Sequence, residues 1–266
     1  MMSGAKNSAR RKDTASTVDE AEIRHFAKDS AHWWDENGPF KPLHRANPTR
    51  MKYLKNRMCG HFSRDEKSLT ALENLKILDV GCGGGLVCEP LTRMGAKVTG
   101  LDADENAIQA AKAHAAQNGL AINYRFMDAM DLKEKFDIVL ALEIIEHVPS
   151  PQDFVTMIAD KVAPGGLVIF STLNRTPKSY ALGIVALEYV LRWVPRGTHD
   201  WKKFVKPSEL ASHARAVGLE PANLSGLIYN PLKDSFALSN SDVAVNYFMT
   251  CRAPAAKKTK TAKKKA

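Results

Sequence analysis

No CxxC pair and no disulfide-framework spacing occurs among the four cysteines, Cys59, Cys82, Cys88 and Cys251. They read as reduced thiols of a cytosolic compartment. No stretch is long and apolar enough to span a bilayer. The N-terminus has no apolar signal-peptide core, and it lacks the large apolar residues that would make an amphipathic transit peptide. The body also has little charge of either sign to spare. The chain carries a net +9, but four cations fall in residues 1–12 and seven in residues 251–266, which leaves about −2 for residues 13–250. Specific nucleic-acid binding is therefore not expected of the body. The tail "APAAKKTKTAKKKA" has no anchor beyond alanine and is expected to be disordered. It would serve solubility or attraction to anionic lipid or nucleic acid.

What is present is enough for one α/β domain: 266 residues, 44% hydrophobic and 25% charged. Residues 1–18 read as a disordered basic start, 19–252 as a single domain and 253–266 as a disordered lysine-rich tail. Residues 19–70 read as a polar helical extension, interrupted by "NGPFKPLHRANP", where Pro39, Pro42 and Pro48 predict an ordered loop. From Leu75 short β-branched segments ("LKILDVG", "AKVTGLD", "INYRFM", "FDIVLAL", "GLVIFSTLN") alternate with helical ones. That alternation predicts a mostly parallel sheet of about seven strands covered on both faces. "VAVNYFMTC" is expected as an antiparallel edge strand. Residues 174–205 break the pattern with an apolar helical insertion, "SYALGIVALEYVLRWVP", ringed by Arg175, Lys178, Arg192, Arg196, Lys202 and Lys203.

"ILDVGCGGGL" runs a strand into a glycine loop. Gly81, Gly83 and Gly85 allow positive φ and close approach of a ligand to backbone, and a helix starting near Leu86 can aim N–H groups at it. A dinucleotide fingerprint would need glycine at position 86, and Asp79 would repel a pyrophosphate. A nicotinamide oxidoreductase is thereby disfavoured, and a cationic or zwitterionic ligand is favoured. Asp102 ends the next strand, placed either to hold two ribose hydroxyls or to cap the following helix. Asp128 follows the third strand, placed to meet an adenine amino group or merely to close a turn.

The loop, Asp79 and Asp102 resemble the class I S-adenosylmethionine-dependent methyltransferases, with a Rossmann-like fold, over residues 75–173. "LEIIEHV" stands where nucleic-acid amino-methylases carry an Asn/Asp-Pro-Pro-Tyr type motif. The flanks "HWWDENGPFKPLHRANPTRMKYL", "FSTLNRTPKSY" and "VPRGTHDWKKFVKPSEL" extend the likeness to residues 22–250 and narrow it. The chain resembles the ubiquinone biosynthesis O-methyltransferase family, which methylates ring hydroxyls of polyprenylated phenols and catechols at two points. The resemblance implies S-adenosylmethionine as co-substrate, with contacts at Arg50, Gly81, Asp102 and Leu142. Gly83 joins them from the loop pattern. Methylation of a ring carbon, or of another small aromatic or lipid-like substrate, is the alternative.

Such a reaction gives "LEIIEHV" a task. A phenol titrates near 10, so making phenolate at neutral pH asks for about three pH units, or ~4 kcal/mol. If a helical turn starts here, Glu143, Glu146 and His147 share one face. Glu143 or His147 then takes the proton directly; or all three bind magnesium or another divalent cation, as the resemblance implies; or they only cap a turn and shape the pocket. Magnesium favours oxygen over imidazole. The substrate class implies a peripheral contact with inner-membrane lipid, through the insertion and its basic ring. It also implies a cytoplasmic, membrane-associated location and a place beside other ubiquinone-biosynthesis enzymes.

Overall fold

The computed structural model describes residues 19–27, 29–181 and 200–256. The basic termini and most of the apolar insertion expected above lie outside the described residues. The helices are α1 (Glu20–Ala27), α2 (Lys41–Phe62), α3 (Cys88–Arg93), α4 (Glu105–Gln117), α5 (Pro151–Lys161), the single turn α6 (Pro177–Ser179) and α7 (Pro207–Ala216). The strands are β1 (Lys76–Val80), β2 (Lys97–Asp102), β3 (Asn123–Phe126), β4 (Phe136–Leu142), β5 (Val162–Leu173), β6 (Glu220–Asn230), β7 (Ser235–Ser239) and β8 (Asn246–Arg252).

They form one sheet in the order β3-β2-β1-β4-β5-β8-β6-β7. β1 to β5 are parallel, while β8, β6 and β7 run antiparallel to their neighbours. The α/β fold class expected from the alternation holds, with differences at the far end. There are eight described strands, and the last strand is antiparallel but not at the edge. It is sandwiched between β5 and the β6–β7 hairpin. Pro221 and Gly226 break the strand signal of β6, so its alternation was not readable as an element.

Period-two alternation splits the core into two layers. Ile77, Val98, Ile138, Leu140 and Ile169 face one side, packed against Tyr53, Leu54 and Met58 of α2 and Ile108 of α4. Leu78, Val80, Val139, Val168 and Phe170 face the other, against Phe154 and Ile158 of α5 and Leu210 of α7. Both faces being covered explains why these strands read as continuous apolar runs.

The expected proline-rich loop is in large part helix. α2 begins at Lys41 and runs through Pro48. Pro42 lies in the first turn, where no intrahelical N–H partner is needed, and Pro48 is tolerated because α2 is anchored by buried Arg50, Tyr53, Leu54 and Met58.

Strand order reverses at β1, with β2 and β3 on one side and β4 and β5 on the other. A ligand crevice opens at such a switch point, beyond the carboxyl ends of the strands. Asp79, Asp102 and Glu143 all sit at that end.

Candidate active site

Three glycines of the loop after β1 adopt positive φ: Gly81 at 74°, Gly83 at 52° and Gly85 at 87°. Space is as demanding as conformation. A Cβ on Gly81 would lie 2.4 Å from Ile144 Cδ1. The Gly83 N–H donates to Asp102 Oδ2 at 2.7 Å, and the Asp104 N–H donates to Asp102 Oδ1 at 2.8 Å. These bonds tie the end of β2 to the loop. Asp104, not Asp102, caps α4, accepting from the Asn106 N–H. Burial raises Asp102 to about 6, against the lowering effect of those backbone bonds.

Asp79 is 3% exposed and accepts a 3.3 Å bond from the Cys88 thiol. Burial raises it to about 6, and the Arg50 guanidinium and the Cys88 bond oppose that rise. Arg50 is 5% exposed. Its burial lowers its pKa, while the charges of Glu143 and Asp79 favour the cation. The Gly83–Asp102 bond and the fields of Asp79 and Glu143 at Arg50 thus bring the residues expected at a cofactor site to the same end of the sheet. Asp128 caps a short turn through the Met130 N–H at 2.9 Å.

β4 ends at Leu142, and the next residue, Glu143, has φ 53°. A left-handed glutamate costs roughly 1–2 kcal/mol and is held by its surroundings. Its N–H donates to the Ser171 carbonyl at 2.9 Å. Ser171 Oγ donates to its Oε1 at 2.6 Å and Asn246 Nδ2 to its Oε2 at 2.8 Å. The helical turn starts two residues later, at Ile145–His147. The expected shared face of positions 143, 146 and 147 is therefore not formed. Glu146, 3% exposed, turns inward and accepts from Thr172 Oγ1 at 2.8 Å. Burial, with Glu143 nearby, raises it to about 7.

His147 Nδ1 meets Glu22 Oε2 of α1 at 3.1 Å, and Lys203 Nζ donates to Glu22 Oε1 at 2.7 Å. Burial alone would lower the imidazole. The Glu22 bond and the fields of Glu146, Glu22 and Glu143 outweigh it and hold His147 above its ordinary value. The His147 bond is the main cause that brings Glu22 down to about 2.

The metal expectation fares poorly on this geometry. Glu143 is held by Ser171 and Asn246, Glu146 by Thr172 and His147 by Glu22. Among the described residues no three His, Cys, Asp or Glu side chains are grouped to hold a metal ion. The three residues, as placed, do not fit a shared cation. Sequence reasoning missed Glu22, Ser171, Thr172 and Asn246. Glu22 is 125 residues from His147, and nothing local marks it.

Comparison with known proteins gives the family and the fold. A methyltransferase-domain model matches residues 43–224. The ubiquinone biosynthesis O-methyltransferase of Rhodopseudomonas palustris is 50% identical over 241 residues, covering 90% of this chain and 95% of the relative. That of Roseobacter denitrificans is 47% identical over 242 residues, covering 90% and 98%. The chain belongs to the ubiquinone biosynthesis O-methyltransferase family. The fold is shared more widely than the family. Magnesium protoporphyrin IX methyltransferase from Synechocystis, solved with S-adenosylhomocysteine, superposes with a TM-score of 0.62 at 16% identity, over 88% of this chain and 98% of that one. An N-methyltransferase from Bradyrhizobium japonicum does so at 0.54 and 16%, over 90% and 100%. These two show the class I methyltransferase fold and nothing of the substrate.

Proposed function

We propose that the protein transfers the methyl group of S-adenosylmethionine to ring hydroxyls of polyprenylated phenols and catechols in ubiquinone biosynthesis, at both O-methylation steps. Family membership supports the substrate class, and the site supports the chemistry. One observation carries the assignment of roles: His147 stands in the turn just after the carboxyl end of β4, with its Nδ1 held by Glu22.

The co-substrate supplies an electrophilic methyl on a sulfonium. Gly81, Gly83, Asp102, Arg50 and Leu142 bind and orient it. Arg50 is suited to a carboxylate, because a guanidinium can grip one bidentately. His147 takes the phenolic proton. Its raised pKa narrows the gap to a phenol near 10, and the Glu22 carboxylate stabilises the imidazolium that forms. The phenolate oxygen then forms the new O–CH3 bond as the S–CH3 bond breaks and its electron pair stays on sulfur. Glu143 and Glu146 shape the floor of this pocket and favour the imidazolium through their charge.

A divalent cation at Glu143, Glu146 and His147 is the competing source of phenolate. It would require giving up the Thr172, Asn246 and Glu22 bonds. Turnover by metal-stripped protein supports the imidazole as base, whereas loss on chelation and recovery with a divalent ion overturns it. Labelled S-adenosylmethionine with short-chain catechol analogues tests the reaction itself: an O-methylated ring is expected, and a C-methylated or unlabelled product refutes it.

An isoprenoid tail on the substrate favours work at a membrane surface, with peripheral lipid and neighbouring enzymes of the route as partners in this reading. No described helix is long and apolar enough to cross a membrane. The insertion's basic ring is partly spent on internal pairs: Arg175 with Glu209, Lys178 with Asp242, and Lys203 with Glu22 and Asp19. Apolar contact therefore weighs more in this reading than the basic ring.

A further inference from the structure

Among the described residues, five buried side-chain atoms have no hydrogen-bond partner: Trp33 Nε1, Asn47 Oδ1, Arg50 Nε, Tyr124 OH and Asn246 Oδ1. Such atoms are rare in folded proteins, and each asks for an explanation. Three of the five come from one place, the segment Ser30–Phe40 and the first turns of α2, which close over the glycine loop.

The closure is specific. The Trp33 ring lies across Gly83 and Gly84, where an added Cβ would come within 2.4 Å and 2.5 Å of it. Gly84 is not in a positive-φ conformation, so it is the indole and not the backbone that requires glycine there. Trp33 stacks on Phe40 with centroids 3.8 Å apart, and its carbonyl bonds His44 Nε2 at 2.8 Å. Trp34 Nε1 donates to the Gly84 carbonyl at 3.0 Å, and its ring stacks on His114 of α4 at 3.4 Å. Asn47 Nδ2 donates to the Leu86 carbonyl at 2.9 Å. His44, Asn47 and Arg50 follow at three-residue spacing and so share one face of α2, the face toward the loop.

The orphan atoms differ in kind. Trp33 Nε1 and Arg50 Nε are donors only, and Asn47 Oδ1 is an acceptor only. A carboxylate needs donors and an ammonium needs acceptors. We propose that Trp33 and Asn47 join Arg50 as the seat for the zwitterionic amino-acid end of the co-substrate. The indole N–H and the guanidinium donate to its carboxylate, and the Asn47 amide oxygen accepts from its ammonium. The segment Ser30–Phe40 is then a strap that closes one end of the cofactor site, not a linker between helices. This rests on the methyltransferase reading and names two further positioning residues for it.

The test compares two ligands by calorimetry: S-adenosylhomocysteine, which has the amino-acid end, and 5′-methylthioadenosine, which lacks it. Trp33→Phe keeps an aromatic cover while removing the N–H together with part of the bicyclic ring. It should weaken S-adenosylhomocysteine on the order of tenfold, as loss of a hydrogen bond to a charged group does, and leave methylthioadenosine unchanged. Asn47→Ala, which leaves the indole cover in place, should show the same selective loss and serves if Trp33→Phe does not fold. Equal loss for both ligands, or no loss for either, overturns the proposal. Failure of the unaltered protein to bind either ligand refutes the methyltransferase reading instead.

Discussion

Glu143 keeps a left-handed backbone while both of its carboxylate oxygens are held by Ser171 and Asn246. Strain of that kind persists only where the surroundings over-determine it, and it gathers at functional sites. Two residue-level expectations follow from the neighbouring geometry. His147→Ala should lower kcat by about 10²-fold or more, with S-adenosylhomocysteine affinity nearly unchanged, if the imidazole is the base proposed for the acceptor. Parallel kinetics and calorimetry check this proposed role, and an equal fall in both would make His147 structural. Asp102→Ala should weaken S-adenosylhomocysteine by ~1–3 kcal/mol, from loss of ribose hydrogen bonds. An unchanged dissociation constant would remove Asp102 from the cofactor site.

At the scale of elements, Glu22 is a tether of α1. Glu22 bridges His147 and Lys203, joining the N-terminal helix to the β4 turn. Its carboxyl falls from 4.5 to about 2 on folding, so its contribution is full above 4.5 and fades as pH drops from there toward 2. His147 is raised above 6.5, so its contribution is full below 6.5 and is lost as pH rises through its folded value. The two windows overlap between 4.5 and 6.5. Glu22→Gln should therefore lower the melting temperature most at pH 5–6 and less at pH 9, which a pH series of thermal scans checks. The strap has its own test. Gly84→Ala inserts a methyl against Trp33, and overpacking of this kind costs ~1–3 kcal/mol. Denaturant unfolding should show that loss, and unaltered stability would mean that the strap moves aside freely.

At the scale of the whole molecule, the charge distribution separates two kinds of membrane attraction. Deleting residues 255–266 removes six lysines, each worth up to ~1 kcal/mol if held at an anionic surface. The salt-sensitive part of vesicle binding should fall with them, and an apolar remainder should persist. Sedimentation with anionic vesicles across a salt series reads both parts. Binding abolished entirely by the deletion would leave the apolar insertion no role at the membrane. Methylation of a water-soluble catechol should be insensitive to the deletion.

The parallel sheet, the glycine loop and Asp102 were legible because each is a local pattern: short β-branched runs, a GxGxG spacing, an acid at a strand end. The strand-end segment "LEIIEHV" marked the neighbourhood of the proposed chemistry but not its geometry. Helical spacing suggested one face for Glu143, Glu146 and His147. Contacts from Ser171, Thr172, Asn246 and Glu22 instead turned the three side chains apart. Those partners lie 26 to 125 residues away in sequence, beyond the reach of any periodicity. The prolines of residues 39–48 misled for a related reason: burial of one face of α2 outweighs the local cost of Pro48. The sequence by itself determined the alternation, the loop and the types of residue at the crevice, since backbone conformation and strand burial are set by neighbours in the chain. Only the tertiary structure decided which side chains meet, that Trp33 lies over the loop and that Glu22 holds His147, because such pairings follow from the packing of elements that the chain order keeps far apart.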